Sequence, residues 1–170
     1  RSPSRGLGDV YKRQGLARYD GYQLNTFRTD YKNQNLLTDN GITAINDNDL
    51  YVWIGTWKGL NLYNKQTCRI TPFSDARLLD KVVDAITVDK DGNVWVSAGG
   101  MIYRCDSTAY IIKEYEVGNI QEGYAISNIY ADQQKQLWAV GSRGIFRYEP
   151  ETDSFFRYPP LGNGHTAYIM

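Results

Sequence analysis

The residues that decide the fold are VWIG at 52–55, read together with VWVS at 94–97 and LWAV at 137–140. Each segment is apolar at successive positions around a tryptophan. A strand with one wet face alternates apolar and polar residues, whereas a strand covered on both faces need not. All three therefore read as strands sandwiched between neighbours. Trp53 and Trp95 lie 42 residues apart, and Trp95 and Trp138 lie 43 apart.

Three further signatures travel with the tryptophans. Ahead of them stand Ile42/Ile45, Val83/Ile86 and Ile126/Ile129. Behind them come Gly59–Tyr63 and Gly144–Tyr148, with an earlier copy at Gly15–Tyr19 and a stretched one at Gly100–Cys105. Last come Leu24/Phe27, Ile70/Phe73, Ile112/Tyr115 and Phe155/Tyr158. Markers recurring in one order at a fixed interval define an internal repeat. Turn chemistry separates them: Asn46–Asp49 and Lys90–Asn93 between the first and second segments, and glycine-containing turns at Thr56–Gly59, Ala98–Gly100 and Ser142–Gly144 between the second and third. The first full copy reads as strands at about 42–46, 51–56, 59–64 and 69–73.

Four strands every ~40–45 residues is the period of a propeller blade. The expected fold is all-β, a partial β-propeller of three complete four-stranded antiparallel blades at 40–81, 82–124 and 125–160. A half blade of two last strands at 15–39 precedes them, and the start of another at 161–170 follows. No stretch keeps a helical period, and a β-sandwich would not need one signature every 42 residues. Propellers close with about 4–8 blades, so the stretch reads as a piece of a larger ring. Its two uncovered faces predict marginal stability alone. Residues 1–14, with four basic residues against Asp9, carry no repeat and read as a non-native or disordered leader.

The expected blade core is Trp53, Trp95 and Trp138, Ile45, Ile86 and Ile129, and Tyr63 and Tyr148. A tryptophan burying ~150–250 Å² contributes at most ~4–6 kcal/mol, so one per blade reads as adhesive between blades. Composition agrees: 14 Tyr and 4 Trp against 2 Met favour pleated sheets.

Formal charge is zero. Without the leader, 15 basic and 18 acidic residues remain, a net charge of −3, so a nucleic-acid surface is not expected. No apolar run approaches the ~18–20 residues of a membrane span, so any membrane link would run through segments outside this chain. Cys68 and Cys105 are too few for a disulfide framework and lack metal spacing; they read as buried or half-buried free thiols.

Catalytic chemistry is not expected. His165 is the only histidine, which leaves no pattern for a Ser-His-Asp, Cys-His or His-metal site. The run Asp89–Asn93 is similar to the opening of a calcium loop, but it lacks that loop's glycine register and distal Glu and reads as a hairpin turn. No metal or cofactor is expected.

Ligand contact is a matter of which face is used. With the first strand innermost, the connections from strand two to three and from strand four to the next blade leave on one side of the disc. The latter, at about 74–81, 116–125 and 159–167, vary most between copies, and variable loops on a fixed scaffold carry function. On that side Trp57, Lys58 and Arg143 depart from the small residues usual in these turns. Trp57 can stack on a sugar ring, and Lys58 and Arg143 can pair with a uronate or sulfate. The competing reading makes all three solvated turn residues.

The copies NGITAINDNDLYVWIGTWKGLNLYN, VVDAITVDKDGNVWVSAGG and ISNIYADQQKQLWAVGSRGIFRYEPETDSFFRY resemble the two-component regulator propeller repeat over residues 15–160. Cys105 stands where that pattern has Tyr, and Ser97 where it has Gly. The resemblance implies a stretch of the periplasmic sensor region of a Bacteroidetes-type hybrid histidine kinase. Its partners would be an oligosaccharide signal and the remaining blades of the same parent chain, and its output polysaccharide-utilisation genes. The phosphoacceptor and ATP-binding modules are not in this stretch, and the oligomeric state, a homodimer included, is left open. Two other classes compete. A propeller lyase or hydrolase would cluster His or Glu on one face, and a protein-interaction propeller of the tryptophan–aspartate type would carry Trp-Asp dipeptides, which are absent.

Overall fold

The computed structural model describes residues 15–19, 21–29, 36–117 and 126–158. The leader at 1–14 and the segment at 161–170 lie outside them. Among the described residues fourteen strands form four antiparallel sheets. Strands β1 (Leu16–Tyr19) and β2 (Leu24–Phe27) make a two-stranded half blade. Blade 1 is β3 (Ile42–Asp47), β4 (Tyr51–Thr56), β5 (Gly59–Asn64) and β6 (Arg69–Pro72); blade 2 is β7 (Val83–Val88), β8 (Val94–Ala98), β9 (Met101–Cys105) and β10 (Ile111–Tyr115). Blade 3 is β11 (Ile126–Ala131), β12 (Leu137–Gly141), β13 (Gly144–Glu149) and β14 (Ser154–Arg157). Each blade is an up-and-down sheet in chain order, with a bulge near the start of its first strand.

The first strands are innermost: β3, β7 and β11 together wall one groove. Register then fixes two faces per blade, because residues directly opposite across an antiparallel pair share a face. One face carries the row Asn46–Trp53–Leu62–Thr71 in blade 1, Thr87–Trp95–Arg104–Lys113 in blade 2 and Tyr130–Trp138–Arg147–Phe156 in blade 3. We call it the forward face, because it packs on the blade that follows. Trp53 shares a core with Val83, Ile86, Val94, Val96 and Tyr103 of blade 2. Trp95 shares one with Ile129, Leu137, Ala139, Phe146 and Tyr148 of blade 3. A third core joins Leu16 and Phe27 of the half blade to Ile54, Tyr63 and Ile70.

Burial follows from that direction. Trp53 and Trp95 are fully buried, and Ile86, Ile129, Tyr63 and Tyr148 are buried. Two core expectations need correction. Ile45 is 50% exposed, because its face points to the half blade, whose two strands stand at the positions of a third and fourth strand and leave an inner-strand residue uncovered. Trp138 is only half-buried, because it lies on the forward face of blade 3; its main ring contact is Tyr158, at 5.2 Å between centroids.

One thiol, that of Cys68, also differs from expectation. Cys105 is buried, and loss of water pushes its pKa up to about 12, while Cys68 is exposed. Ser97, where the repeat favours glycine, is fully buried and donates its hydroxyl to the Ile126 carbonyl at 3.2 Å. At the matching Gly55, a Cβ would sit 2.6 Å from Val83 Cγ1. A small residue is needed there because the next blade's first strand passes close by.

Candidate functional site

Three surfaces gather polar groups. The first is the side of the disc bearing the turns from second to third strands. Thr56, itself fully buried, accepts from the Lys58 N–H at 3.1 Å and donates to the Gly59 carbonyl at 2.8 Å, which fixes the turn holding Trp57 and Lys58. Behind it, buried Asn61 exchanges hydrogen bonds with the Thr38 N–H and hydroxyl at 3.0 and 2.9 Å. Trp57 is 55% exposed, and its ring lies so close over Gly41 that a Cβ there would come within 2.6 Å of it. The pyrrole edge of the indole is thus held close to backbone, and just over half of the residue is open to solvent. Arg143 stands in the corresponding turn of blade 3, and the turn at Gly99–Gly100 of blade 2 lies between them. All three candidates share a side of the disc, but only Trp57 and Lys58 share a turn.

The loop between blades 1 and 2 is less free than its variability implied. It contains a short 3₁₀ turn, Ala76–Leu78, capped by the Asp75 carboxylate on the Arg77 N–H, and it plugs Leu78 into the core between blades 1 and 2. The other two variable loops fall largely outside the described residues.

The second surface is the inner groove, of about 610 Å³, lined by β3, β7 and β11 and by Lys135. Asp84 stands in it, and loss of water raises its carboxyl above the usual range. The third is a groove of about 460 Å³ between blades 2 and 3 on the opposite side of the disc, with Asp89, Lys90, Arg104, Lys135, Tyr148 and Asp153 among its walls.

Two polar devices of this opposite side escaped the sequence reading. One is a bond from turn to tryptophan. Asp89 accepts from the N–H groups of Asp91 and Asn93, from the Asn93 amide and from Trp95 Nε1 at 2.8 Å. Asp132 accepts from Gln134 and Gln136 and from Trp138 Nε1 at 2.9 Å. The calcium-like run is therefore a saturated hairpin cap, and among the described residues no acidic, His or Cys cluster can hold a metal ion. In blade 1 the turn is one residue shorter and Asn48 spends its carbonyl on Leu50 and Tyr51. Trp53 Nε1 is left buried without a partner.

The other device is a clasp across each blade boundary at the rim. Arg18 of the half blade donates to Tyr63 OH at 2.5 Å and lies 3.7 Å from Cys68 Sγ. Hydrogen bonds from Tyr63 and Arg18 lower the Cys68 pKa. At the same places between blades 2 and 3, Arg104 lies 3.8 Å from Asp153, whose carboxylate also accepts from Tyr148 and Tyr115 hydroxyls and from Lys113, each at 2.6 Å. Burial pushes the Asp153 carboxyl up, but these donors outweigh it and hold it at about 2. Between blades 1 and 2 the same positions are Leu62, Cys105 and Ala109, packed in one apolar cluster. Cys68, Ala109 and Asp153 all have positive φ, of 55°, 74° and 49°, which marks them as equivalent turn positions.

Neither a protein family nor a curated protein matches the sequence. Solved structures do. The extracellular domain ascribed to hybrid two component system BT3049 from B. thetaiotaomicron superposes with a TM-score of 0.66 at 18% identity, over 85% of this chain and 20% of that one. That ascribed to hybrid two component system BT4673 of the same organism gives 0.66 at 22%, over 85% and 20%. Virginiamycin B lyase from Staphylococcus aureus gives 0.54 at 23%, over 71% and 42%. The fold is that of β-propeller blades. At these identities the likeness establishes the fold, and the chain spans about a fifth of the length of the sensor domains. No helix among the described residues is long and apolar enough to cross a membrane.

Proposed function

We propose that this stretch belongs to the extracytoplasmic, ligand-sensing propeller of a hybrid two-component sensor, that it binds an oligosaccharide-type signal, and that it performs no chemistry of its own. Two lines support the reading. The repeat text resembles the two-component regulator propeller repeat, and the solved structures it resembles include extracellular domains ascribed to such systems. The observation that carries the binding role is Trp57. An indole held against backbone by Gly41 and 55% open to solvent is a preorganised stacking platform. Lys58 beside it adds a cation for an acidic or sulfated sugar, and Arg143 would meet a ligand long enough to cross blade 2.

The test is a titration of the chain with neutral, uronate-bearing and sulfated oligosaccharides, followed by calorimetry and tryptophan emission. Binding is expected for at least one class, weakened roughly tenfold or more by Trp57→Ala. Heat with no sugar in the panel, or binding indifferent to Trp57→Ala and Lys58→Ala together, overturns the site. The lyase reading rests on fold likeness alone, with no residue constellation among the described residues in its favour.

A further inference from the structure

The forward face of blade 3 repeats, in open form, the surface that blades 1 and 2 bury. Its row Tyr130–Trp138–Arg147–Phe156 corresponds strand by strand to Thr87–Trp95–Arg104–Lys113. Tyr130 is 47% exposed, Phe156 51% and Tyr158 beside them 41%. Contiguous aromatic surface of this kind marks an interface, and here its chemistry is specific at the clasp position. Arg147 stands where Arg18 and Arg104 stand, its side chain 46% exposed and paired with Glu149 of its own strand. In the two arginine clasps the receiving sheet brings a tyrosine near the end of its third strand and, two places before that tyrosine's partner on the fourth strand, a thiol or a carboxylate that accepts from or pairs with the arginine: Tyr63 with Cys68, Tyr148 with Asp153. Where the forward residue is Leu62, the receiving pair is Cys105 and Ala109. Arginine meets a tyrosine together with a thiol or a carboxylate; leucine meets a buried thiol and a methyl.

We infer that the forward face of blade 3 docks a four-stranded sheet of the arginine-receiving kind, with a tyrosine closing its third strand and a carboxylate in its third-to-fourth turn. The argument is charge complementarity at Arg147 together with continuity of the two interfaces already formed. A sheet of the Cys105/Ala109 kind would bury Arg147 with neither a phenol nor a carboxylate to accept its hydrogen bonds, which is the costly arrangement for a guanidinium. The proposal is independent of the sensing reading, since it concerns which sheet adjoins blade 3 and not what the disc binds.

The full chain can be extended at its C-terminus, through a flexible linker, by a second copy of residues 126–158. A parallel extension carries Y148C and D153A in the added copy, which converts it to the leucine-receiving kind. Docking is read from the shift of Trp138 emission to shorter wavelength, assigned by repeating each measurement with Trp138→Phe, and from the fraction docked as urea rises. The unaltered extension is expected to dock roughly tenfold more favourably than the converted one, and Arg147→Leu in the chain is expected to reverse that order. Equal docking of both extensions, in the unaltered chain and in its Arg147→Leu variant alike, overturns the proposal. So does a concentration-dependent Trp138 shift with sedimentation as a dimer in the unextended chain, because the occupant would then be a second copy.

Discussion

The two complete blade boundaries solve one packing problem with different chemistry. Between blades 1 and 2 the core and the clasp are apolar, and the side-chain links of Asn46 and Asn48 go to the Ile86 and Ser107 carbonyls: Trp53 is fully buried with its indole N–H unanswered, and Leu62 meets Cys105 and Ala109. Between blades 2 and 3 the indole of Trp95 is tied to Asp89, meets Tyr148 edge-on at 4.8 Å, and lies under the Arg104 guanidinium at 5.4 Å, with the Asp153 cluster closing the rim. The comparison teaches that the repeat fixes position and volume and leaves polarity negotiable, provided both sides of a boundary change together. An apolar clasp has no desolvation to offset, whereas a charged one selects its neighbour.

That contrast can be broken by substitution. The largest effect is expected from Trp95→Ala, at about 3–5 kcal/mol of stability in urea denaturation, from lost burial and an unfilled cavity. Leu62→Arg alone should destabilise by about 2–3 kcal/mol, since it drives a cation against Cys105 and Ala109. Adding Cys105→Tyr and Ala109→Asp should recover at least half of that, and the absence of recovery would refute the paired-position account. Next, Trp95→Phe and Trp53→Phe should differ. Both lose area, but only the former removes a donor from the Asp89 carboxylate, so it should cost about 1 kcal/mol more; equal losses would show that the Asp89 bond is energetically idle.

Acid offers a gentler probe. Asp153 has its pKa lowered in the folded chain to about 2. Its contribution is therefore complete above the ordinary carboxylate range and is lost as pH falls from about 4 through 2. With the side chain 40% exposed and screened by solvent, the loss should be about 1 kcal/mol. It should loosen the boundary reported by Trp95 before the one reported by Trp53. The smallest effect belongs to Asp84→Asn. A carboxyl raised by burial opposes folding when charged, so the amide should stabilise slightly at pH 7, with the gain vanishing in acid as Asp84 protonates.

Much of the architecture was legible because it is periodic. The tryptophan strands, the glycine turns and the inner-strand isoleucines announce four strands per unit, and the sheets fall on those units. Ile45 and Trp138 departed because a repeat gives equal weight to every copy, while coverage depends on what stands beside it. The clasps were invisible for a different reason: Arg18 and Tyr63 are 45 residues apart and meet only when adjacent blades do. One signal was available. An aspartate six residues before tryptophan occurs at Asp47/Trp53, Asp89/Trp95 and Asp132/Trp138; the structure makes the last two pairs hydrogen bonds, and in the shorter hairpin of blade 1 the first pair does not form one. Of the candidate site, residue type and face could be read. Trp57's anchoring over Gly41 could not, since it joins a turn to the residue before β3.

Each buried indole leans the same way, toward the unit with the higher residue numbers. The array therefore has a sense, like roof tiles laid in one direction: each tile keeps rain off the one before it. Lifting blade 3 would wet Trp95 and then, once blade 2 had loosened, Trp53, whereas lifting the half blade would uncover Tyr63 and leave both of those tryptophans dry. Exposure of the tryptophans should accordingly run from high residue number to low.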